Sequence, residues 1–348
     1  MNKAFSSRLL AMASVCTTLL LGVASSGAVN ADTITLNASG ATFPAPIYGR
    51  WFAEYNKVNS NVRINYQSVG SGQGIKSFTD GLTDFGASDA AMTDAEIAKV
   101  TTGGVVLLPM TAGSIVLSYN LPGVADSIKL PRDVYPAIFL GDITKWNDPK
   151  IAAANPGVTL PDMPITVAYR ADGSGTTYNF TNHLSAISAD FKTKVGGGKL
   201  VKFPVGVGGK GNEGVAALIK QTPGTIGYVE YGYAQQIKLP MATLQNQAGK
   251  FVAPTPESGS ASLAAVTLPD NLRAFVTDPA GDTSYPIVTF TWWLCHTDYS
   301  SKPGVADAIK GLAAWCLTDG QKLAPELGYL PLPDSVVTKV QAAVAQIK

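Results

Sequence analysis

Short apolar runs typical of β-strands alternate with longer segments typical of α-helices along the first third of the chain. This alternation is typical of βαβ units and predicts an α/β fold with a largely parallel sheet. Ligands of such sheets bind at the carboxyl ends of the strands, where loops enter helix N-termini, so we expect the functional residues in these loops. The segments, strand first in each pair, are 34–36 with 47–57, 62–67 with 74–78, and 85–87 with 94–99.

Two further apolar runs, 113–120 and 286–295, stand far apart in the sequence and are typical of strands that cross between lobes. The chain has 348 residues, 46% of them hydrophobic, which is more than one ordinary domain needs. We therefore predict two lobes, of which the first is discontinuous. The predicted boundaries are 32–113 and 286–348 for lobe one and 114–285 for lobe two.

The N-terminus is typical of a cleaved export signal. Lys3 and Arg8 precede an apolar stretch at 9–23, and a small-residue region ends at 29–31 in an A-x-A-like cleavage site. Polar residues interrupt the apolar stretch, which argues against the alternative of a transmembrane anchor. We predict a signal peptide over 1–31 and an exported protein.

Cleavage would leave two cysteines, Cys295 and Cys316, in an oxidising compartment. A disulfide and a pair of buried thiols both remain open, since each cysteine lies in an apolar run. Together with His183 and His296 the cysteines show no zinc-type spacing, so no metal site is expected.

The formal net charge is only +1, so the chain has no basic field for nucleic acid. A charged ligand would have to be bound by local groups.

Four loops have a composition suited to anions. Three of them place Gly, Ser or Thr where a helix is expected to begin, and there the first backbone N–H groups are unpaired and the helix dipole is positive. Each loop alone is more typical of an ordinary turn or N-cap than of an anion site. The loops lie at 40–44, 70–74, 87–89 and 170–176.

The fourth loop adds a cation. Arg170 offers a planar fork of donors that matches a tetrahedral oxyanion, and Asp172 could hold that fork in place. A surface ion pair between Arg170 and Asp172 is the competing interpretation.

Six motifs in these and later segments occur together, in the same order, in one known family. They are GATFPAP at 40–46, DFGASD at 84–89, RADGSGT at 170–176, GGKGNEG at 208–214, GYVEY at 227–231 and LPDSVV at 332–337. Over almost the whole chain after residue 31, the sequence resembles the periplasmic phosphate-binding proteins of the PstS type.

The resemblance implies a type II periplasmic-binding-protein fold, with two α/β lobes joined by two crossing hinge strands and closing on one phosphate. It implies a periplasmic monomer that binds inorganic phosphate with high affinity and delivers it to the membrane permease of an ABC importer, with no cofactor, catalytic residue or nucleic-acid partner. Asp172 is similar to the family carboxylate that orients the arginine. The implied phosphate-binding residues are Thr42, Phe43, Ser71, Asp89, Arg170, Ser174, Gly175 and Thr176.

One loop departs from the family pattern. Gly72 and Gln73 stand where family members often carry Ser-Gly, which puts the contacts beside Ser71 in question.

Asp89 is unusual in an anion site, because like charges repel strongly where water is excluded. A carboxylate suits this place only if the ligand carries a proton. Phosphate near neutral pH does, whereas sulfate can only accept, and a site built to bond a ligand O–H can reject the analogue lacking it by about 10⁴–10⁵-fold. We therefore expect Asp89 to select phosphate; the alternative is a turn residue or the N-cap of a helix near Asp94.

Other functions are less well supported by the residues. A phosphatase would need a G-x-S-x-G elbow or a metal cluster, and neither is present in the sequence. A dinucleotide site is suggested by the G-x-G-x-x-G match at 206–211 after a strand-like run at 201–205, with Glu230 about 20 residues on, but Pro204 interrupts the run. A binding protein for another oxyanion, or a phosphate sensor, stays open.

Two further expectations concern local structure. Segment 245–262, rich in Gly, Pro, Ser and Gln, predicts a loop. Trp51, Trp146, Trp292 and Trp293 are expected to pack in the core or at its rim.

Overall fold

The computed structural model describes residues 33–124, 127–264 and 266–348. The predicted signal peptide at 1–31 lies outside these residues. Within them, no helix combines the length and the hydropathy that a membrane crossing requires.

Strands and helices alternate along the described chain. The strands are β1 Ile34–Gly40, β2 Val62–Ser68, β3 Phe85–Ser88, β4 Val106–Tyr119, β5 Lys129–Leu130, β6 Thr166–Arg170, β7 Val207–Gly209, β8 Thr225–Glu230, β9 Thr243–Gln245, β10 Phe251–Val252 and β11 Val288–Cys295. The helices are α1 Ala45–Val58, α2 Ser71–Thr79, α3 Asp94–Ile97, α4 Val134–Leu140, α5 Pro149–Ala154, α6 Gly175–Ile187, α7 Ala189–Lys194, α8 Gly211–Gln221, α9 Tyr231–Gln236, α10 Pro256–Leu263, α11 Val305–Cys316, α12 Asp319–Leu323 and α13 Asp334–Val344, with a 3₁₀ turn at Pro325–Leu327.

The main sheet has the strand order β2-β1-β3-β11-β4-β8-β6-β7. β1 runs parallel to β2 and β3, and β6 runs parallel to β7 and β8. Between these two parallel sets, β11 and β4 run antiparallel to their neighbours. The sheet is thus mixed, and the prediction of a largely parallel sheet holds only for its two ends.

β4 links the two parallel sets. Its residues up to Ser114 pair with β11, and its residues from Ile115 onward pair with β8. Every residue of β11 and all but the first of β4 are buried, which explains why both were visible as continuous apolar runs. The long strands expected near 113 and 286 are therefore present, although β4 begins earlier, at Val106. The lobe boundaries remain a prediction.

Helix α1 shows how the core on the β1 side is built. Tyr48, Trp51, Phe52 and Tyr55 recur at helical spacing on its buried face. Tyr48 and Phe52 pack on the ring of Trp293 from β11, and the indole N–H of Trp51 donates to the carbonyl of Gly320 at 2.7 Å. All four tryptophans named from the sequence are core residues, namely Trp51, Trp146, Trp292 and Trp293.

Two predictions of local structure are wrong. Segment 245–262 is not a loop throughout, because β10 and α10 lie in it. Thr255 and Ser258 form a capping box that starts α10, so polar residues that suggested a loop instead begin a helix. Segment 201–205 is not a strand: the pairing with β6 begins only at Val207, after the proline that cannot donate to a ladder.

The two cysteines of the described chain are free and buried. Burial raises the pKa of Cys295 to about 12 and raises that of Cys316 well above its ordinary value. Of the two alternatives left open by the sequence, the structure shows the buried thiols.

We predict that neither thiol of the chain 32–348 reacts with a chromogenic disulfide reagent in the native state, because both thiols are buried and protonated. After denaturation without reductant, both should react, giving two equivalents per chain. A denatured chain with no titratable thiol would show instead that a disulfide forms.

Candidate functional site

Three helices begin next to one another around the predicted anion-binding loops. α1 follows Thr42 and Phe43, α2 begins at Ser71, and α6 begins at Gly175. The first N–H groups of a helix have no intrahelical acceptor. Among the described hydrogen bonds, none uses the backbone N–H of Phe43, Ser71 or Thr176. The site therefore presents backbone donors from three helix N-termini.

Ser71 joins two of these N-termini. Its hydroxyl oxygen accepts from the backbone N–H of Asp89 at 3.2 Å and of Gly175 at 3.1 Å. A Cβ on residue 175 would lie 2.7 Å from both the Ser71 hydroxyl and the Asp89 carboxylate, so only glycine allows this approach. The glycine at position 175 of the RADGSGT motif is therefore required by its contact with Ser71 and Asp89.

The Asp89 carboxyl group is almost fully buried, at 1% exposure. Burial raises its pKa from 3.8 to about 7, although the Thr291 hydroxyl, which donates to Oδ1 at 2.9 Å, and the charge of Arg170 act in the opposite direction. The alternative of an N-cap is wrong, since Thr93 caps the helix that begins at Asp94. Asp89 is therefore a buried carboxyl group that titrates near neutrality.

Arg170 and Asp172 form a buried bidentate ion pair. Nε and Nη2 of Arg170 donate to the two carboxylate oxygens at 2.8 and 2.5 Å, and the arginine side chain is 1% exposed. The interpretation as a surface pair is therefore wrong. The pKa of Asp172 is lowered, because bonds from Arg170 and from the Gly211 N–H outweigh the opposing effect of burial.

The pairing leaves part of the arginine available. A guanidinium has five N–H groups, and a third contact runs from Nη1 to the Thr176 hydroxyl at 3.4 Å. The remaining two N–H groups have no acceptor among the described residues. Arg170 can thus bind an anion while Asp172 holds it in place.

Ser174 and Phe43 occupy more indirect positions. The Ser174 hydroxyl caps α6 by accepting from the Thr177 N–H at 3.0 Å. The Phe43 ring is fully buried and packs edge-on against Tyr329, so only its backbone can face a ligand. All eight residues predicted to bind phosphate are buried. Hydrogen bonds join Ser71 to Asp89 and Gly175. Arg170 contacts Thr176, and Asn212 links Thr176 to Thr42.

The departure from the family pattern does not disturb Ser71. The Gly72 N–H donates to the Gly173 carbonyl at 2.8 Å, which joins the second and fourth loops. Gln73 is exposed and donates along its own helix to Ser77 at 3.1 Å.

The sequence analysis did not identify three buried polar residues of the site. Asn212, at the start of α8, contacts both Thr42 and Thr176, and Thr291 on β11 contacts Asp89. Glu230 is fully buried, and burial raises its pKa to about 8. Asn212 and Glu230 lie inside two of the motifs that carry the resemblance. Both are polar residues at the start of a helix, and this position could have identified them as candidates from the sequence.

The dinucleotide alternative does not fit this geometry. Glu230 accepts from the backbone N–H groups of Gly232 and Tyr233 at the start of α9, and is not free to bind a ribose. The strand required before the glycine motif is also absent from 201–205.

The chain is similar to known proteins over most of its length. The model of the PBP superfamily domain matches residues 25–319. The phosphate-binding protein PstS of Pasteurella multocida is 42% identical over 327 residues, which cover 93% of this chain and 94% of the relative. The phosphate-binding protein PstS of Haemophilus influenzae is 42% identical over 311 residues, with 88% and 92% coverage.

A solved structure of similar fold is the phosphate-binding protein from Stenotrophomonas maltophilia. It superimposes with a TM-score of 0.72 at 20% identity, covering 89% of this chain and 93% of that one. The fold of this chain is thus that of the type II periplasmic binding proteins.

We predict that Asp89 makes the stability of the ligand-free protein fall as pH rises. The folded state keeps the Asp89 proton up to about pH 7, whereas the unfolded chain loses it near pH 3.8. Relative to Asp89→Asn, the free energy of unfolding of the wild type should therefore decrease by up to about 1.4 kcal/mol per pH unit between these values and then level off. Urea unfolding of both proteins from pH 4.5 to 8.5 measures this difference, and a difference independent of pH would contradict a buried, titrating Asp89.

Proposed function

Since the chain belongs to the PstS family of phosphate-binding proteins, we propose that it binds inorganic phosphate outside the cytoplasmic membrane and delivers it to the permease of an ABC importer. One observation carries this proposal: unpaired backbone donors and the free edge of Arg170 surround a buried carboxyl group, Asp89, that can exchange a proton near neutral pH.

The neutral donors account for tight binding without a large positive charge. Fixed N–H and O–H dipoles that already point at the anion need no reorganisation when it binds. Among the eight proposed phosphate-binding residues, Arg170 supplies the one full positive charge, and Asp172 keeps its fork oriented. The net charge of +1 for the whole chain agrees with a site of this kind.

Asp89 accounts for selectivity. The carboxylate form can accept from a phosphate O–H, and the protonated form can donate to a phosphate oxygen, so phosphate is accommodated in either state. Sulfate has no proton to give and needs the protonated form of Asp89. The discrimination between the two anions should thus depend on the state of this one side chain.

The site favours a function in binding alone over the alternative of phosphatase activity. His183 bonds to Tyr135 at 2.8 Å and His296 lies beside the Gly104 carbonyl at 3.1 Å. Within the described part of the chain, neither histidine is hydrogen-bonded to a proposed phosphate-binding residue. The family relatives are named as binding proteins. We propose a periplasmic monomer whose partners are phosphate and the permease; hydrolysis of a generic phosphate ester by the purified chain would overturn the binding-only part.

Calorimetric titration of the chain 32–348 tests the main proposal. Phosphate should bind saturably at pH 8, and sulfate should bind far more weakly. As pH falls toward 7, sulfate affinity should rise about tenfold per pH unit and then level off, because the fraction of protonated Asp89 rises in the same way.

Asp89→Asn is the matched variant for this titration. Its amide always has a donor, so sulfate affinity should no longer depend on pH between 6 and 8, and the preference for phosphate should narrow. An unchanged phosphate-to-sulfate ratio would remove Asp89 from the selective role, and absence of phosphate binding by the wild type would overturn the proposed function.

We expect Arg170→Ala to weaken phosphate binding by about 2–5 kcal/mol, or roughly 30-fold to several thousandfold, because it removes a buried charge-assisted contact and leaves Asp172 unpaired. Arg50→Ala is a suitable control, since Arg50 is half exposed and, among the described residues, forms an ion pair only with Glu54 on the surface of α1. Calorimetry showing wild-type affinity for Arg170→Ala would exclude the arginine from the site.

A further inference from the structure

We propose that Asn212 sets the direction of the hydrogen bonds in the site, so that the hydroxyl groups of Thr42 and Thr176 can only donate to the ligand. Asn212 itself touches both hydroxyls and acts through them as a positioning residue. This inference rests on the proposed function as a phosphate-binding protein.

The orientation of the Asn212 side chain is fixed by the backbone. Its Oδ1 accepts from the N–H of Glu230 at 2.9 Å. The amide oxygen must take this position because an N–H donor needs an acceptor. The Nδ2 group therefore faces the two threonines, and Asn212 is fully buried, so water does not compete.

Asn212 fills the acceptor positions of Thr42. The Thr42 hydroxyl oxygen accepts from Nδ2 at 2.9 Å and from the Asn212 backbone N–H at 3.1 Å. A hydroxyl has two lone pairs and one hydrogen. Both lone pairs are thus in use, and the hydrogen has no acceptor among the described residues.

The lone pairs of the Thr176 hydroxyl are likewise in use. Its hydroxyl oxygen accepts from Asn212 Nδ2 at 3.2 Å and, at the longer distance of 3.4 Å, from Nη1 of Arg170. Its hydrogen likewise has no acceptor within the described part of the chain. The two hydroxyls consequently present hydrogens and not lone pairs to an anion.

This arrangement assigns the ligand proton to one place. A protonated phosphate oxygen facing Thr42 or Thr176 would meet a donor and lose a hydrogen bond, whereas the same oxygen facing Asp89 gains one. Asn212 thereby contributes to selectivity without contacting the ligand. It also joins segments that lie far apart in sequence, since Thr42 precedes it by 170 positions and Thr176 by 36.

The test is a double-mutant cycle on phosphate affinity at pH 8, measured by calorimetry. Asn212→Asp replaces the donor by an acceptor of nearly the same shape, so the hydroxyls turn their hydrogens toward the new carboxylate. We expect a loss of about 10- to 100-fold for each misdirected hydroxyl. In the Thr42→Val/Thr176→Val background no hydroxyl remains to be turned, and the Asn212→Asp loss should shrink by at least about tenfold.

The cycle separates direction from charge and from structural damage. Repulsion between a new carboxylate and phosphate would persist in the valine background, and Gln221→Glu at the exposed end of α8 gives the same chemical change as a control that should bind like the wild type. Thermal unfolding checks that each variant folds. If Asn212→Asp does not fold, Asn212→Ala enters the same cycle, where its smaller loss should also vanish in the valine background.

Equal losses in the two backgrounds, or no loss at all, would overturn the role of Asn212 while leaving phosphate binding by the wild type in place. Failure of the wild type to bind phosphate would instead overturn the proposed function, and this inference with it.

Discussion

The site depends on helix N-termini that the sheet topology forces together. α1 and α2 follow β1 and β2 of one parallel set, whereas α6 follows β6 of the other set, which runs in the opposite direction. The bond from the Gly175 N–H to Ser71 joins the two sets at the site. Each helix begins with backbone N–H groups that have no acceptor inside the helix. Such groups are costly to bury without a partner. Binding an anion would satisfy them. The polar network around Ser71, Arg170 and Asn212 uses the Gly175 N–H but leaves those of Phe43, Ser71 and Thr176 without a partner among the described residues.

Buried acids set the chemical character of this network. Asp89 and Glu230 both have raised pKa values, in each case chiefly because burial disfavours the charged form. They have different tasks: Glu230 has its oxygens occupied by the start of α9, whereas one Asp89 oxygen has only the long 3.4 Å contact from Ser71. In the proposed phosphate complex, a proton shared between Asp89 and the ligand would replace a fixed charge, and the site would discriminate by hydrogen-bond direction rather than by attraction alone.

The sequence was informative where local chemistry decides the structure. The loops at Thr42, Ser71, Asp89 and Arg170 could be found because four loops of suitable composition occur in one chain, and because one of them adds an arginine two residues before an aspartate. The sequence was less informative where contacts between distant segments determine the structure.

Thr291 belongs to a buried strand, and nothing in the sequence around it indicates that it faces Asp89, 202 positions away. The error over segment 245–262 has a local cause, since the capping box of Thr255 looks in sequence like any polar turn. The pattern of apolar residues also does not indicate strand direction, so the antiparallel pairing of β4 and β11 could not be predicted from it.

The division of β4 between two partners has a mechanical consequence. Its backbone passes without interruption from β11 to β8 at Ser114 and Ile115, so any rotation of one strand set against the other must twist the chain there. Gly113, the residue before this junction, lies against the Phe43 ring so closely that a Cβ would come within 2.8 Å of it. Torsion in this strand would therefore be transmitted directly to the loop that carries Thr42. The strand thus couples the relative rotation of the two strand sets to the site, besides connecting them.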